Sequence, residues 1–235
     1  MKYDLVIYIP TFNRPVAIKK QTNTIEASIL KLQSKLNIRV VVQDNCSPQA
    51  VDIYCNSIEF RSNGINIGGN ANIANGFAVD YIKDSRYLWI LSDNDFLSDK
   101  FLNELSIFLP SDSYDFIIFD KDIKKPQSDK VEKSDYKYIW HKGLISNCIY
   151  ATKNLHEHGM IPYLFHNSSF PHLAMAFTIL NEKQSIDYCL VPKSSIFLGQ
   201  ESSELIADYS FSEIAMPLLI EVMHGRYSFI FALKW

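Results

Sequence analysis

The feature that most constrains the fold is an alternation of short apolar runs with helical stripes through the first half of the chain. Residues 5–9 form an unbroken apolar run that Pro10 closes, which predicts a buried strand. Between residues 18 and 36, apolar positions recur every three or four residues and predict an amphipathic helix. Residues 38–42, with three consecutive valines, predict the next strand. Continuous hydrophobicity indicates strands covered on both faces, as in a parallel sheet of right-handed βαβ units.

The alternation continues through the middle of the chain and predicts an α/β layer architecture. The further predicted elements are a helix at 51–58, a strand near Phe60, a helix at 71–82, a strand at 87–91, a helix at 102–109 and a strand at 116–119. Residues 121–137 carry many charges and no apolar periodicity. We predict a solvated loop or insertion there, a mobile lid being the functional alternative. Beyond it we predict a strand at 144–150, a helix at 173–180, a strand at 186–191 and a helical stretch at 203–224.

Composition narrows the class of protein. The 235 residues are 47% hydrophobic and 21% charged, with a net charge of -3, which excludes a chain that is disordered by composition. That balance also argues against a nucleic-acid binder, which usually carries a basic surface. No apolar run approaches the length of a spanning helix, and the first ten residues do not resemble a signal peptide. The four cysteines form no CxxC pair, so we expect reduced thiols in a cytosolic protein.

Polar residues stand at the carboxyl ends of four predicted strands, where ligands bind in open parallel sheets. These end segments are residues 11–14, Asp44 with Asn45, residues 63–70 and residues 92–95. The third segment holds a cluster of glycines and asparagines, which predicts either a long turn or a close approach of backbone to a ligand. Helix capping is the alternative explanation for Ser92 or Asp99. Acids that converge from two strand ends of one sheet favour a binding site.

The ligand class follows from which motifs are present. The first turn, PTFNRP, contains no glycine, so the dinucleotide fingerprint GxGxxG is missing, and no GxxxxGK[ST] loop occurs. Asp93 and Asp95 instead place two carboxylates on alternate positions directly after the strand YLWIL. Hard oxygen ligands suit Mg²⁺ or Mn²⁺, which bind one or two carboxylates together with substrate phosphates.

Four segments, in this order and spacing, resemble the family-2 glycosyltransferases. They are IPTFNRP, VVQDNCSP, NIGGNANIANGF and YLWILSDNDFL, and the resemblance covers about residues 4–120. The later SNCIYATKNL segment resembles bacterial polysaccharide-building members of the family. The resemblance implies a GT-A fold with a Rossmann-like, mostly parallel central sheet flanked by helices and a smaller C-terminal acceptor side. We therefore predict one domain over 1–235, with a nucleotide-sugar half at 1–120, a loop at 121–139 and an acceptor half at 140–235.

The resemblance also implies roles for individual residues. Asp44 would accept a hydrogen bond from the base, Asp93 would bind the ribose or donor sugar, and Asp95 would hold Mn²⁺ or Mg²⁺ on the diphosphate. The remaining residues of the implied nucleotide-sugar site are Pro10, Thr11, Phe12, Asn13, Arg14, Asn45, Asn66, Gly68, Gly69, Asn72 and Asn94. Arg14 among these would lie near the base or the diphosphate.

The general base departs from the family pattern. Many members carry an acid of a Glu-Asp pair in the second half, but here Ser169-Phe170-Pro171-His172 stands in that place. His172 is our candidate, because a neutral imidazole titrates near physiological pH. A structural histidine at a helix start is the alternative role, and Glu201 is the reserve candidate. We interpret His156 and His158 as a polar helix end, because residues two apart do not share a helix face.

The sequence thus predicts an inverting, metal-dependent glycosyltransferase that uses a nucleoside-diphosphate sugar, with a uridine donor favoured. The resemblance implies a saccharide or lipid-linked acceptor, no nucleic-acid partner, and surface polysaccharide, lipopolysaccharide or capsule assembly in bacteria. We expect a cytoplasmic protein, and the final stretch RYSFIFALKW either packs in the protein or contacts the inner membrane face. A non-catalytic binding or scaffold protein is the alternative. A nucleotidyltransferase is disfavoured because it needs a glycine-rich first turn.

Overall fold

The fold is taken from a computed structural model that describes residues 2–32, 36–49, 55–132, 145–168, 171–183 and 185–200. The predicted helix at 203–224, Glu201 and the stretch RYSFIFALKW lie outside these residues, as do residues 133–144 of the loop and its flank. Every structural statement below concerns the described residues.

Ten strands form the framework. They are β1 (Tyr3–Thr11), β2 (Ile38–Asp44), β3 (Ile58–Ser62), β4 (Ser85–Ile90), β5 (Asp95–Leu97), β6 (Phe116–Asp120), β7 (Gln127–Glu132), β8 (Cys148–Ala151), β9 (Ser185–Pro192) and β10 (Phe197–Gln200). Eight of them make one sheet in the order β3-β2-β1-β4-β8-β6-β9-β7, and β5 pairs with β10 in a small antiparallel ribbon. The neighbours β3-β2-β1-β4 and β6-β9 are parallel, whereas β8 and β7 run antiparallel to their neighbours. The predicted α/β architecture with a mostly parallel central sheet is confirmed.

Helices cover both faces of this sheet. They are α1 (Pro15–Leu30), α2 (Gly69–Ala74), α3 (Val79–Ile82), α4 (Phe101–Leu105), α5 (Ile161–Leu164), α6 (Pro171–Glu182) and α7 (Lys193–Ile196). The central strand β1 is buried on both sides: Leu5, Ile7 and Ile9 join one apolar cluster, and Val6 and Tyr8 join the other. This two-sided burial is the physical reason for the unbroken apolar run in the sequence.

Two predicted helices end earlier than their apolar stripes. Helix α1 ends at Leu30, although Leu32 and Leu36 of the stripe still pack against the core. Helix α4 ends at Leu105, and Leu109 is buried without being helical. Apolar spacing reports which side chains reach the core, and a chain that turns back onto the same face keeps that spacing after the helix has ended.

The helix predicted at 71–82 is broken into three pieces. Helix α2, a 3₁₀ turn at Asn75–Phe77 and helix α3 follow one another. Gly76 lies in the middle turn so close to the sheet that a Cβ atom would stand 2.4 Å from Ile90 Cδ1 and 2.7 Å from Tyr8 Cδ1. The segment can therefore approach the sheet only with a residue that has no side chain.

The helix predicted at 51–58 is wrong at its end, because Ile58 opens strand β3; residues 50–54 are outside the described chain. The strand near Phe60 is confirmed. The loop predicted at 121–137 is wrong for Gln127–Glu132, which pairs with β9 along six residues. A charged strand at a sheet edge has no apolar periodicity to detect, and such charges protect the edge from pairing with other chains.

Strand β8 joins the two predicted halves of the chain. It lies between β4 and β6 and pairs with both, so the sheet runs continuously from the first half into the second. The predicted strands at 144–150 and 186–191 are β8 and β9, and the predicted helix at 173–180 is α6. Among the described residues no helix is both long and apolar enough to cross a bilayer.

Candidate functional site

The site lies at the carboxyl end of β1, where the strand order reverses. Strand β2 flanks β1 on one side and β4 on the other, which makes this edge the position where open α/β sheets bind ligands. Thr11 pairs in register with Asp44, and the Thr11 carbonyl accepts a 2.9 Å hydrogen bond from the backbone N–H of Asn45. The first two predicted strand ends therefore meet.

The Asp93 carboxylate joins this edge from the end of β4. The Thr11 hydroxyl donates to Asp93 Oδ2 at 2.7 Å, and Arg14 Nη1 lies 3.7 Å from Asp93 Oδ1. These two contacts link the turn after β1 to the turn after β4, although Thr11 and Asp93 are 82 residues apart in the sequence. The structure thus brings Asp44 and Asp93 to one rim of the sheet, so acids from two strand ends converge as the sequence predicts.

Burial raises the pKa of Asp93. The hydrogen bond from Thr11 and the charge of Arg14 favour the ionised form but do not cancel the burial, and the nearby charge of Asp95 adds to the rise. Asp95 itself is only 1% exposed. The contacts with Thr11 and Arg14 therefore offset the burial of the Asp93 carboxylate only in part.

The donor set of this turn fits a divalent cation. One or two carboxylates complemented by substrate phosphates is the usual coordination of Mg²⁺, and Asp93 and Asp95 supply those carboxylates. No three histidine, cysteine, aspartate or glutamate side chains of the described chain converge on a common point where an ion could bind.

Asp44 is buried and already bonded within its own turn. Its Oδ2 accepts from the Ser47 backbone N–H at 2.9 Å and from the Ser62 hydroxyl at 3.2 Å, and its Oδ1 accepts from the Ser47 hydroxyl. The residue is 5% exposed. A carboxylate has about four acceptor positions, so one further donor can still be accommodated.

A network of side-chain amides holds the loop that follows β3. Asn63 Nδ2 donates to Asn45 Oδ1 at 2.9 Å and to Asn72 Oδ1 at 3.1 Å, while Asn63 Oδ1 accepts from Gln43 Nε2 at 2.9 Å. Asn45 Nδ2 in turn donates to Asn66 Oδ1 at 2.7 Å. Sequence reasoning assigned Asn45, Asn66 and Asn72 to the site, included Asn63 only as part of the polar segment 63–70, and missed Gln43.

Gly68, directly before α2, has a backbone conformation that favours glycine. Gly68 has φ of 88°, a region that L side chains rarely adopt, and its N–H donates to Asn66 Oδ1 at 2.9 Å. A Cβ atom at Gly68 or Gly69 would meet no atom within 4 Å. The space beside this turn is therefore open, as a ligand that approaches the backbone would require.

The other predicted residues of the nucleotide half lie on the same rim. Pro10 pairs in register with Gln43. Phe12 is 41% exposed, and Asn13 has a positive φ of 55° with its N–H bonded to the Ser47 hydroxyl at 2.7 Å. Asn94 Oδ1 accepts from the Ser92 hydroxyl at 2.6 Å. Their implied roles toward a nucleotide stay predictions.

His172 lies in the first turn of α6 and is 5% exposed. Its carbonyl accepts a 3.1 Å hydrogen bond from the buried Tyr150 hydroxyl, which fixes the start of the helix. The imidazole is therefore enclosed rather than presented to a cleft, and its role as a base stays a prediction.

His156 and His158 lie in turns after the 3₁₀ segment Thr152–Asn154, not at the helix end that the sequence predicted. His158 Nε2 lies 2.7 Å from Glu182 Oε2, in a polar cleft of about 430 Å³ that Lys153 and Lys183 also line. All four cysteines are free thiols.

Comparison with solved structures identifies the fold. TarS 1-349 of S. aureus in complex with UDP-GlcNAc matches with a TM-score of 0.62 and 16% identity over 93% of this chain and 66% of that chain. The mannosyltransferase PcManGT of Pyrobaculum calidifontis, in complex with GDP-Man and Mn²⁺, matches with a TM-score of 0.57 and 11% identity over 87% of this chain and 59% of that one. A mycobacterial protein matches with a TM-score of 0.58 and 8% identity over 94% of this chain and 75% of that one.

The chain thus spans about two thirds of TarS 1-349 and less than two thirds of the mannosyltransferase. No family model matches the sequence. No curated protein matches it either. The structural matches show that the chain has the GT-A-like fold of these glycosyltransferase neighbours, a mostly parallel sheet flanked by helices.

Proposed function

We propose that this protein is a glycosyltransferase that takes a hexose-type sugar from a nucleoside diphosphate, with uridine the favoured base. The observation that carries the proposal is the convergence of Thr11, Arg14 and Asp93 at the point where the strand order reverses. Two fold neighbours were solved with UDP-GlcNAc and with GDP-Man and Mn²⁺, which supports a nucleotide-sugar ligand at this edge.

Each element of the rim has a task in donor binding. Asp44, on the turn after β2, accepts a hydrogen bond from the base through its remaining acceptor position. Asp93, between Thr11 and Arg14, receives a hydroxyl of the ribose or the donor sugar. The open turn at Gly68 and Gly69 lets the nucleotide approach the backbone.

Asp95, together with Asp93, is the residue that would hold Mn²⁺ or Mg²⁺. A bound divalent cation supplies charge stabilisation to a diphosphate leaving group without a proton. Arg14, partly exposed beside Asp93, adds a positive charge on the same side. The neighbour with Mn²⁺ supports this assignment.

The acceptor half carries the remaining step. Direct displacement with inversion needs one general base to take the proton of the acceptor hydroxyl. His172 is the candidate, in the first turn of α6 and 5% exposed. The acceptor that we propose is a saccharide or a lipid-linked saccharide, used in bacterial cell-surface polysaccharide synthesis at the cytoplasmic membrane face.

The burial of His172 also favours one second candidate function. A GT-A-like chain whose base is sealed off could bind nucleotide-sugar without transferring it, as part of an assembly complex. In that case donor binding would be intact, and neither hydrolysis nor transfer of the donor would depend on His172.

Titration calorimetry with UDP and GDP, each with Mn²⁺ or with a chelator, tests the proposal. Asp95→Asn should abolish the gain in nucleotide affinity that Mn²⁺ provides, because the carboxylate is the ligand. Asp80→Asn is the matched control, since Asp80 is exposed on α3, away from this rim. A wild-type chain that binds neither nucleotide, or Asp95→Asn that keeps the full Mn²⁺ gain, contradicts the proposal.

A further inference from the structure

Gln21 holds the turn that carries the two acidic residues. Its side-chain Nε2 donates to the carbonyl of Ser92 at 2.7 Å and to the carbonyl of Asp95 at 3.1 Å. These two carbonyls belong to the residues on either side of the Asp93-Asn94 pair. One amide group on α1 therefore fixes both ends of the segment from Ser92 to Asp95.

The chemistry of the amide suits this task. A carboxamide nitrogen carries two N–H donors, and here each N–H donates to one carbonyl oxygen. The opposite orientation would place the amide oxygen against two carbonyl oxygens, so the hydrogen bonds fix which atom faces the turn. Few uncharged side chains of this length carry two N–H donors on one nitrogen atom.

The burial of Gln21 shows that its polarity has a specific purpose. The residue is 3% exposed on the apolar face of α1, beside Ile18 and Ile25. Its Oε1 has no hydrogen-bond partner among the described residues, and an unsatisfied buried acceptor opposes folding. An apolar residue of the same length would avoid that cost, so the contact with the turn is what the amide contributes.

Other contacts hold the same turn but in different places. Thr11 bonds the Asp93 side chain, and Ser146 Oγ accepts from the Ser92 backbone N–H at 2.8 Å. The Asp95 backbone N–H also donates to the Ser92 carbonyl at 3.4 Å, and Gln21 is the side chain that ties both ends of the segment to α1. Loss of Gln21 would leave Asp93 attached to Thr11 and Asp95 held by that long backbone bond and by its pairing with β10, so that the spacing of the two carboxylates is less tightly fixed.

We infer that Gln21 is a positioning residue that sets the geometry of Asp93 and Asp95 for a divalent cation bound with a nucleotide. The inference rests on the proposed function for the identity of the ligand. Gln21 touches neither the nucleotide nor the cation, and it acts through the backbone carbonyls of the turn.

Helix α1 provides a matched control. Ser28 is also buried on α1, and its hydroxyl donates to the carbonyl of Asp99 at 2.8 Å. Gln21→Met and Ser28→Ala therefore both remove a hydrogen bond from the same helix to a backbone carbonyl 71 residues away. Only the first bond reaches the acidic turn.

Hydrogen exchange followed by mass spectrometry on the ligand-free protein gives the first measurement. In Gln21→Met we expect exchange over residues 91–97 to be about tenfold faster, since two hydrogen bonds to that segment are lost. Ser28→Ala should leave that segment at the wild-type rate. If Gln21→Met does not fold, Gln21→Asn replaces it, because its amide is one methylene too short to bridge both carbonyls.

Titration with UDP in the presence and absence of Mn²⁺ gives the second measurement. Gln21→Met should reduce the Mn²⁺-dependent gain in UDP affinity about tenfold and leave the affinity in chelator unchanged, because only the carboxylate spacing is altered. Equal behaviour of Gln21→Met and Ser28→Ala in both measurements overturns the inference. If the wild type shows no Mn²⁺-dependent UDP binding, the proposed function fails and the exchange measurement alone decides whether Gln21 positions the turn.

Discussion

Two aspartates at opposite ends of the sheet, the partly buried Asp93 and the buried Asp115, have opposite electrostatic surroundings. Asp93 lies at the carboxyl end of β4, and burial raises its pKa. Asp115 lies just before β6, at the amino end of the parallel strands, and its pKa is lowered. Burial alone would raise the pKa of Asp115 too, but hydrogen bonds from Lys183 and Asn154 outweigh it.

The geometry explains the difference. Asp115 Oδ1 accepts from Lys183 Nζ at 2.6 Å and from Asn154 at 3.0 Å, and its Oδ2 accepts from the Asp187 backbone N–H at 3.1 Å. Asp93 has a hydroxyl and a more distant guanidinium, with a second carboxylate nearby. The charge of Asp115 is compensated by the chain itself, whereas the charge of Asp93 is compensated only in part.

The largest expected effect separates stability from binding. Asp115→Asn should lower the free energy of unfolding by about 3 kcal/mol, because it removes the negative charge that compensates Lys183 and places an amide N–H₂ where the carboxylate accepts a hydrogen bond. Asp93→Asn should change it by about 1 kcal/mol or less, since the amide oxygen can still accept from Thr11. Urea unfolding of both variants checks this, and a larger loss in Asp93→Asn than in Asp115→Asn would invalidate the comparison.

The two lysines around Asp115 should differ in the next largest effect. Lys183 Nζ is 2.6 Å from the carboxylate, whereas Lys153 Nζ is 3.7 Å away and half exposed. We expect Lys183→Met to cost about 2 kcal/mol, as for a hydrogen bond to a charged group. Lys153→Met should cost about 0.5 kcal/mol, as for a surface ion pair. Equal losses in thermal and urea unfolding would show that the short contact is not the dominant one.

The smallest expected effect is in pH dependence, and its sign is opposite for the two aspartates. The lowered pKa of Asp115 stabilises the fold above the ordinary aspartate pKa of about 3.9, and this stability is lost as the pH falls through the native pKa. The raised pKa of Asp93 stabilises the protonated native state at low pH, and this is lost as the pH rises through the native pKa.

Unfolding measured from about pH 3 to pH 7 should show both signs. The deficit of Asp115→Asn should shrink toward acid, and the stability of Asp93→Asn relative to wild type should grow toward neutral pH. The second change amounts to about 1.4 kcal/mol for each unit by which the pKa of Asp93 is raised. Parallel pH profiles of wild type and Asp93→Asn would contradict the raised pKa.

The strands and helices that could be predicted from the sequence are those with a local apolar pattern. The run at 5–9 and the valines at 40–42 indicated buried parallel strands, and parallel strands place their carboxyl ends at one edge. That rule alone predicted that Asp44 and Asp93 would meet. Strand β7 was not predictable in this way, because pairing with β9 through backbone groups leaves a charged edge sequence without periodicity.

The supporting residues needed the three-dimensional structure. Asp115 looks like any acid before a strand, and its partners Asn154 and Lys183 lie 39 and 68 residues away. Gln21 carried a weak signal, as a polar residue on the buried face of an amphipathic helix. Asn63 had none beyond its place in the polar segment 63–70, because its hydrogen bonds join the end of β2, at Gln43 and Asn45, to Asn72 in helix α2.

The insertion of β8 between β4 and β6 has a consequence for how the chain acquires its structure. Until residues 148–151 have been synthesised, β4 has a partner only on the β1 side and exposes the backbone groups of Tyr87, Leu88 and Trp89. The indole N–H of Trp89 likewise donates to the Ser146 carbonyl, which is available only after residue 146 has been synthesised. The sheet of the first half is therefore complete only when residues from the last third of the described chain have paired with it, and contacts of such long sequence separation slow the search for the native state.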